Sequence, residues 1–232
     1  MRAGLLDEDA TVVRKSLAVA VATGTYGITA GALAVAAGLS VLQAMALSLL
    51  LFSGGSQFAF FGVIGAGGSP VAAVASSTLL GVRNGFYGLQ VSQLLGVHRW
   101  KRGLAAHLTI DESTAVAVTQ QRTRQQRIGF WLTGAGIFVL WNVMTLVGAL
   151  AGSALGDPRA YGLDAAAAAA FVALLWPRLR GRDPLATGAL AAFVTVVVAP
   201  FVPAGISVLA AVAAALVVGL PRRAPSAAQV DR

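Results

Sequence analysis

Long apolar runs dominate this sequence and limit what the chain can fold into. The main runs cover residues 16–37, 41–66, 70–95, 128–155, 165–176, 184–199 and 204–220. At a rise of 1.5 Å per residue, about 20 apolar residues cross a hydrocarbon core about 30 Å thick. With 57% apolar and 11% charged residues, the chain lacks the charged surface of a soluble domain. The pattern predicts an all-α, polytopic transmembrane helical bundle.

The composition also argues against several kinds of chemistry. The chain has no cysteine, and its two histidines have no carboxylate cluster at ligand spacing, so we expect no metal site and no cofactor. The net charge is +8, but the basic residues lie between the apolar runs and form no patch for nucleic acid. Phosphate-binding loops and hydrolase motifs are missing from the sequence. The chain is therefore not expected to be an enzyme.

The basic residues predict the topology, because lysine and arginine concentrate in cytoplasmic loops. Three simple crossings from a cytoplasmic amino terminus would place the basic cluster at 98–102 on the wrong side. We therefore expect one of the early segments to turn back. The run 41–66 is the best candidate for a re-entrant or broken helix, and the half-length segment 104–119 is a second one. With both assigned in this way, all of the 17 basic residues except Arg83 and Arg159 lie inside.

This topology gives about six full spans plus one or two re-entrant or broken helices. Residues 1–15 form a cytoplasmic amino-terminal segment, 16–220 a transmembrane transporter domain, and 221–232 a cytoplasmic tail. The run 70–95 is itself split by glycines between residues 81 and 88, and no convincing internal repeat is visible. We expect a multi-pass protein of a prokaryotic cytoplasmic membrane with both termini in the cytoplasm.

The first candidate site lies where the run 41–66 is interrupted, at Ser53, Gly54, Gly55, Ser56 and Gln57. Two adjacent glycines favour an unwound helix, whose backbone groups and polar side chains would bind a small zwitterion. Close helix packing is the alternative, because small residues are common at helix interfaces in membranes.

Arg83 lies near the middle of the run 70–95, next to Asn84 and one helical turn before Tyr87. A charged residue at the bilayer centre costs about 2.5 kcal/mol or more, so such residues usually face a cavity or a partner. We expect this face to bind substrate or to form an ion pair rather than to point at lipid.

The segment 104–119 carries two adjacent carboxylates, Asp111 and Glu112. Inside the membrane, one of them would pair with Arg83 or exchange a proton, whereas at a helix start they would simply favour the helix dipole. His107 precedes Asp111 by four residues and is either a proton relay or an interfacial residue.

Three segments taken together resemble the AzlC family, the large membrane subunit of branched-chain amino acid exporters. They are Phe52-Ser53-Gly54-Gly55-Ser56-Gln57-Phe58, Val82-Arg83-Asn84-Gly85-Phe86-Tyr87-Gly88 and Ile110-Asp111-Glu112-Ser113. The likeness extends over nearly the whole chain. It implies export of leucine, isoleucine and valine, with methionine or toxic analogues as further substrates, together with a small hydrophobic AzlD-type membrane subunit.

The chain departs from this family pattern at a few positions. Gly55 stands where many members have alanine, Gly81 and Asn84 where many have asparagine and histidine, and Ile110 where a threonine is usual. These changes remove polar groups near the expected site and leave the preferred substrate open.

The sequence is also compatible with two other functions. In one, the glycine-rich segments line a passive channel for a small polar solute, with Arg83 as an electrostatic filter. In the other, the chain is a structural subunit in which Arg83 and Asp111 form only a salt bridge.

Overall fold

The computed structural model of the chain describes residues 2–154, 172, 176, 179–202, 206–207 and 210–213. These residues form helices and no strand, which confirms the all-α prediction. In chain order the helices are α1 (Arg2–Thr25), α2 (Gly27–Ala36), α3 (Val41–Leu50), α4 (Gly54–Gly65), α5 (Pro70–Leu95), α6 (Trp100–His107), α7 (Asp111–Val118), α8 (Thr123–Ala154), α9 (Arg182–Val198) and a short 3-10 turn (Ala199–Phe201).

Three stretches of the described chain are long and apolar enough to cross a membrane. They are Glu8–Ala36, formed by α1 and α2 with a slight break at Tyr26, then Thr123–Ala154, and Arg182–Phe201. The predicted count of six full spans is not confirmed. The predicted run 165–176 lies almost entirely outside the described residues, as does most of the run 204–220, and the predicted tail 221–232 lies wholly outside them.

The first span, α1 and α2, runs parallel to α8 along its whole length. Near their amino termini, Glu8 and Arg122 form an ion pair with 2.8 Å between Oε2 and Nη1. Further along, Gly24 packs on Leu140, and near the carboxyl termini Gly152 packs on α2. The chain therefore enters both helices from the same end of the molecule, which we call the basic end.

Glycines allow this pair of helices to approach closely. A Cβ atom on Gly27 or Gly31 would collide with the backbone carbonyl of Trp141 or Thr145, and one on Gly148 would collide with the backbone of α2. Small residues at such contacts allow dense packing, on which helix association depends in lipid.

The long helix α5 returns the chain to the basic end. It begins at Pro70. This residue lines a groove together with Gly38, which follows the carboxyl end of α2. We call the end of the molecule where α2 stops and α5 starts the opposite end. The helix α5 ends at Gly96, whose left-handed φ of 58° stops the helix close to the guanidinium of Arg127. The glycines between residues 81 and 88 do not split α5, because a helical glycine costs only about 1 kcal/mol and the helix packs along α4.

The segment 41–66 enters and leaves at the opposite end, as predicted for a re-entrant helix. The helix α3 starts at Ser40, whose side chain caps Gln43, and runs inward for 10 residues, about 15 Å. The helix stops at Leu51, and α4 then returns, so that Gly65 packs on Ala37 beside the end of α2. Neither half is long enough to cross a membrane alone.

The segment 100–119 forms a second segment of this kind, from the basic end. The helix α6 starts at Trp100, just after α5 ends, and the chain breaks again at residues 108–110. The helix α7 then runs back to Thr119, whose Oγ1 accepts a hydrogen bond from Nζ of Lys15 in α1 at 3.3 Å. The half-length segment expected from the sequence is thus a pair of short helices.

The order of elements repeats with reversed direction. A long helix followed by a helix, a break and a helix occurs once in α1 to α4 and again in α5 to α7. Inverted repeats with discontinuous helices are common in secondary transporters. The two halves share this order of helices but no recognisable sequence pattern, so the sequence itself shows no convincing repeat.

Candidate functional site

The two broken segments meet with their tips against α8. The ring of Phe52, in the first break, lies 5.8 Å from that of His107, the last residue of α6. Both contact Phe138, with ring-centre distances of 5.1 and 5.5 Å. The two tips therefore share one aromatic cluster.

The amino terminus of α4 is built from glycines because two large side chains press on it. A Cβ atom on Gly54 would lie 2.9 Å from Cη2 of Trp141, and one on Gly55 would lie 2.9 Å from Nη2 of Arg83. Ser53 adopts an extended backbone just before the helix. The amide groups of this first turn have no intrahelical partner and carry the positive end of the helix dipole.

Gln57 holds the first break in place. Its side chain is fully buried, and its Nε2 donates to the carbonyl of Leu51 at 2.7 Å. Its Oε1 accepts from Nε1 of Trp141 at 3.0 Å. Because protein groups occupy both ends of this amide, the geometry favours a positioning role, and direct substrate binding by Gln57 stays a prediction.

Arg83 and Asp111 form the ion pair that the sequence suggested. Nη1 of Arg83 lies 3.1 Å from Oδ2 of Asp111, and the two side chains are 31% and 21% exposed. Asp111 is the first residue of α7, so its carboxylate also lies at the positive end of that helix dipole. Two half-helix amino termini, a guanidinium and a carboxylate thus come together within one small region.

The other predicted binding residues lie around this pair. Ser56 is fully buried beside Gly81, and its Oγ has no hydrogen-bond partner among the described residues. The same holds for Oδ1 of Asn84. Tyr87 is half-buried one turn beyond Arg83. Polar atoms that protein groups leave unused are available to a ligand or to water.

His107 and Glu112 lie on the two sides of the second break. His107 ends α6 and Asp111 begins α7, so the four-residue spacing is interrupted and does not place them on one helix face. His107 instead packs between Phe52 and Phe138. Glu112 is half-buried in the first turn of α7, where it also favours the helix dipole.

Sequence reasoning missed two residues that organise the site. Ser113 bridges the second break, since its Oγ donates to the carbonyl of Leu108 at 2.7 Å and accepts from the amide of Ile110 at 3.1 Å. Trp141 contacts both Gly54 and Gln57. Tryptophan in a membrane protein usually lies at the membrane surface, so its position in the middle of an apolar run could have marked Trp141 as a site residue.

No metal centre accompanies this site in the described part of the chain. There, no group of three or more histidine, aspartate and glutamate side chains comes close enough to hold a metal ion. The arrangement is suited to binding a small charged or zwitterionic molecule through backbone amides, Arg83 and Asp111.

Comparison with known proteins agrees that the chain is a membrane protein. The family model described as AzlC protein matches residues 18–155, which include both broken segments. The chain is also 35% identical over 156 residues to an uncharacterized membrane protein of Archaeoglobus fulgidus, and the match covers 66% of this chain and 68% of that protein. No solved structure matches the chain. With more than half of its length matched by the family model, the chain belongs to the AzlC family of membrane proteins.

Proposed function

We propose that this chain is the large subunit of a transporter that exports branched-chain amino acids, working with a small hydrophobic AzlD-type membrane subunit. Membership of the AzlC family and the two broken helices support a transporter subunit. The proposal includes the substrates, the small partner, the outward direction of transport and a location in a prokaryotic cytoplasmic membrane.

The observation that carries the proposal is the Arg83–Asp111 pair beside the amino terminus of α4. An amino acid carries one negative and one positive group, so it can replace this pair without leaving either charge alone. Its carboxylate would bind Arg83 and the amides of Gly54 and Gly55, and its ammonium group would bind Asp111. Exchange of partners avoids the large penalty of an uncompensated charge inside the membrane.

The aromatic cluster next to the pair would receive the branched side chain. Phe52 and Phe138 lie at the breaks. Phe138 is half-buried, whereas Phe52, like Phe58 and Phe61, is buried in the packed core. Each methylene group transferred from water to such surroundings contributes about 0.8 kcal/mol, so discrimination between valine and leucine is expected to be modest.

Proton coupling through Asp111 or Glu112 is the proposed source of energy. When the substrate takes Arg83 away from Asp111, a proton would replace the guanidinium as the partner of the carboxylate. The carboxylate would release that proton when Arg83 pairs with it again. Because the substrate and the proton would both bind at the Arg83–Asp111 pair, export of the amino acid would be coupled to movement of the proton.

The proposed orientation places the basic end in the cytoplasm. Arg122, Arg124 and Arg127 lie at the start of α8, and Arg14 and Lys15 lie near the same end of α1. Positive residues near span ends favour the cytoplasmic side. A single cysteine introduced at exposed Arg124 would then react with an impermeant maleimide in inside-out vesicles and stay unmodified in right-side-out ones.

The decisive experiment measures uptake of labelled leucine into inside-out vesicles, with and without the small subunit, under an imposed pH gradient. We expect accumulation that needs the partner and collapses with an uncoupler. Arg83→Gln should abolish it, while Arg124→Gln, which changes a 76% exposed side chain at the basic end, should leave it unchanged. Rapid equilibration without accumulation would instead establish the channel function.

A further inference from the structure

The contact between α4 and α5 contains three buried hydroxyl groups that protein atoms leave unsatisfied. Ser56 of α4 is 0% exposed, and Ser76 and Ser77 of α5 are 2% and 3% exposed. None of the three Oγ atoms has a hydrogen-bond partner among the described residues. We call Ser56, Ser76 and Ser77 the hydroxyl seam.

The first turn of α4 packs directly on the middle of α5. A Cβ atom on Gly55 would lie 3.5 Å from Cδ2 of Leu80 and 2.9 Å from Nη2 of Arg83. A Cβ atom on Gly81 would lie 3.4 Å from Oγ of Ser56. The side of α5 that carries Leu80, Gly81 and Arg83 therefore faces α4.

Helical spacing places the two other serines on this same side of α5. Ser76 precedes Leu80 by four residues and Arg83 by seven, and Ser77 precedes Gly81 by four. Residues at these spacings lie above one another on a helix. Both serines are buried, and α4 is the described helix against which α5 packs most extensively. All three members of the hydroxyl seam therefore lie between α4 and α5.

The hydroxyl seam leads from the ion pair towards the opposite end. At its inner end, Nε of Arg83 and Oδ1 of Asn84 are likewise buried without a hydrogen-bond partner among the described residues. Ser76 lies seven residues before Arg83, which is about 10 Å along the helix. It also lies six residues after Pro70, where α5 starts at the opposite end. The seam therefore continues the polar site about halfway to that end.

A hydroxyl group inside a helix usually donates to a carbonyl of the preceding turn. Ser92 of α5 does so, with its Oγ 2.8 Å from the carbonyl oxygen of Leu89. The serines of the hydroxyl seam do not make this bond, although the same kind of carbonyl is within reach. Buried polar groups that protein atoms leave unsatisfied are normally bonded to ordered water or to a ligand.

Room for water remains beside Gly81. Apart from Oγ of Ser56 and the neighbouring part of α5, no described atom would come within 4 Å of a Cβ atom at this position. By contrast, a Cβ atom on Gly31 or Gly148, which pack α2 against α8, would collide with the backbone of the facing helix. The contact of α4 with α5 at Gly81 is thus looser than a contact that serves close packing alone.

We propose that the hydroxyl seam is hydrated and forms the outward route of the substrate, from the Arg83–Asp111 pair to the opposite end. Hydroxyl groups both donate and accept, so the seam and its water bind the carboxylate and the ammonium group of an amino acid in turn. They add no charge that would hold the amino acid there. Because the serines are buried, α4 and α5 must separate for it to pass. Hydration of the seam stands on the packing alone, and its use as a route rests on the proposed function.

The chain has no cysteine, so single cysteines can report on this hydration. The test variants are Ser76→Cys and Ser77→Cys, which replace one oxygen by sulfur. The matched controls are Ala34→Cys in α2 and Ala44→Cys in α3, both at positions 0% exposed. Each control lies within one turn of its helix end at the opposite end, so neither is deeper than the test positions.

The probe is the silver ion, which is small and reacts with the thiolate, a form that apolar surroundings suppress. We expect both seam cysteines to react at least about tenfold faster than both controls in open membrane fragments. A smaller ratio would overturn the hydration of the seam. Ser56 is not used, because Arg83 beside it would itself favour a thiolate. This measurement needs no transport, so its result is independent of the proposed export function.

A second measurement tests the route and covers the case in which a cysteine variant fails to fold. The double variant Ser76→Ala/Ser77→Ala removes two buried hydroxyl groups that have no protein partner, so the fold should tolerate it. It should lower leucine accumulation at least about tenfold, because the charged groups of the substrate lose hydrogen bonds on their way out. Ser92→Ala, the control in the same helix, removes an exposed hydroxyl and should leave accumulation unchanged.

Accumulation by the double variant equal to that of Ser92→Ala would refute the route. If the unmodified chain with its partner moves no leucine, the proposed function and the route fail together. The silver result would then still decide whether the hydroxyl seam is hydrated.

Discussion

The Arg83–Asp111 pair should make a measurable contribution to the stability of the fold. Coulomb's law at the observed 3.1 Å gives about 1.3 kcal/mol in water and about 5 kcal/mol at an effective dielectric constant near 20. The two side chains are 31% and 21% exposed, so water screens the pair only in part, and its interaction energy should lie between these two values. We therefore expect a coupling energy of about 2–4 kcal/mol between the two side chains.

A double-mutant cycle measures this energy directly. Arg83→Gln and Asp111→Asn should each lower the free energy of unfolding by about 3 kcal/mol, because each leaves a charge without its partner. The double variant should lose about as much as either single variant, since it leaves no charge behind. The assay is equilibrium unfolding in mixed micelles with increasing SDS, followed by circular dichroism.

A surface pair provides the matched control. Arg122 and Glu8 lie closer, at 2.8 Å, but are 52% and 51% exposed, so their cycle should give less than about 1 kcal/mol. If the losses at Arg83 and Asp111 simply add to within about 0.5 kcal/mol, the two side chains do not interact and the reasoning on the site is refuted.

Three further perturbations test the packing and the breaks. Gly148→Ala should destabilise the fold by about 1–3 kcal/mol, because its Cβ would collide with the backbone of α2, whereas Gly85→Ala has open space and should be neutral or stabilising in the same assay. Gln57→Leu should cost about 1–3 kcal/mol, because it leaves the indole N–H of Trp141 buried without a partner, whereas the carbonyl of Leu51 still accepts from the amide of Ser53. His107→Phe should preserve the pH profile of leucine transport, because the ring contacts of His107 are aromatic.

Each of these has a result that contradicts it. Similar effects of alanine at residues 148 and 85 would mean that α2 and α8 are not in close contact. A Gln57→Leu variant as stable as the unmodified chain would show that water readily replaces the lost bonds. A shifted pH profile in His107→Phe would return that residue to the proton pathway.

The sequence predicted the main elements because the physics behind them is local. Run length and composition require helices, and the adjacent glycines at 54 and 55 mark the first break. The charge distribution predicted one or two segments that turn back, and the structure has a pair of short helices with a break at α3–α4 and another at α6–α7. The pairing of Arg83 with Asp111 was one of the alternatives that the sequence offered, on the ground that an isolated charge in the membrane is costly.

Tertiary packing decided the features that the sequence left open. The roles of Gln57 and Trp141 depend on how α4 meets α8, and no spacing along the chain reveals that contact. The second break falls between His107 and Asp111 because Ser113 satisfies the freed backbone groups there. The parallel packing of α1 on α8 is equally invisible, since their interacting residues are more than 100 positions apart.

The distance between α1 and α8 along the chain has a consequence for biosynthesis. Glu8 and Gln125 are 117 residues apart, and ribosomes add roughly 5–20 residues per second. The glycine-lined face of α1 and α2 therefore waits roughly 6–23 s in the membrane before α8 is made. During that time lipid or the insertion machinery must cover this face, so the first 120 residues cannot reach their final packing while they emerge. A truncated chain that ends before α8 should accordingly be a good substrate for membrane quality-control proteases.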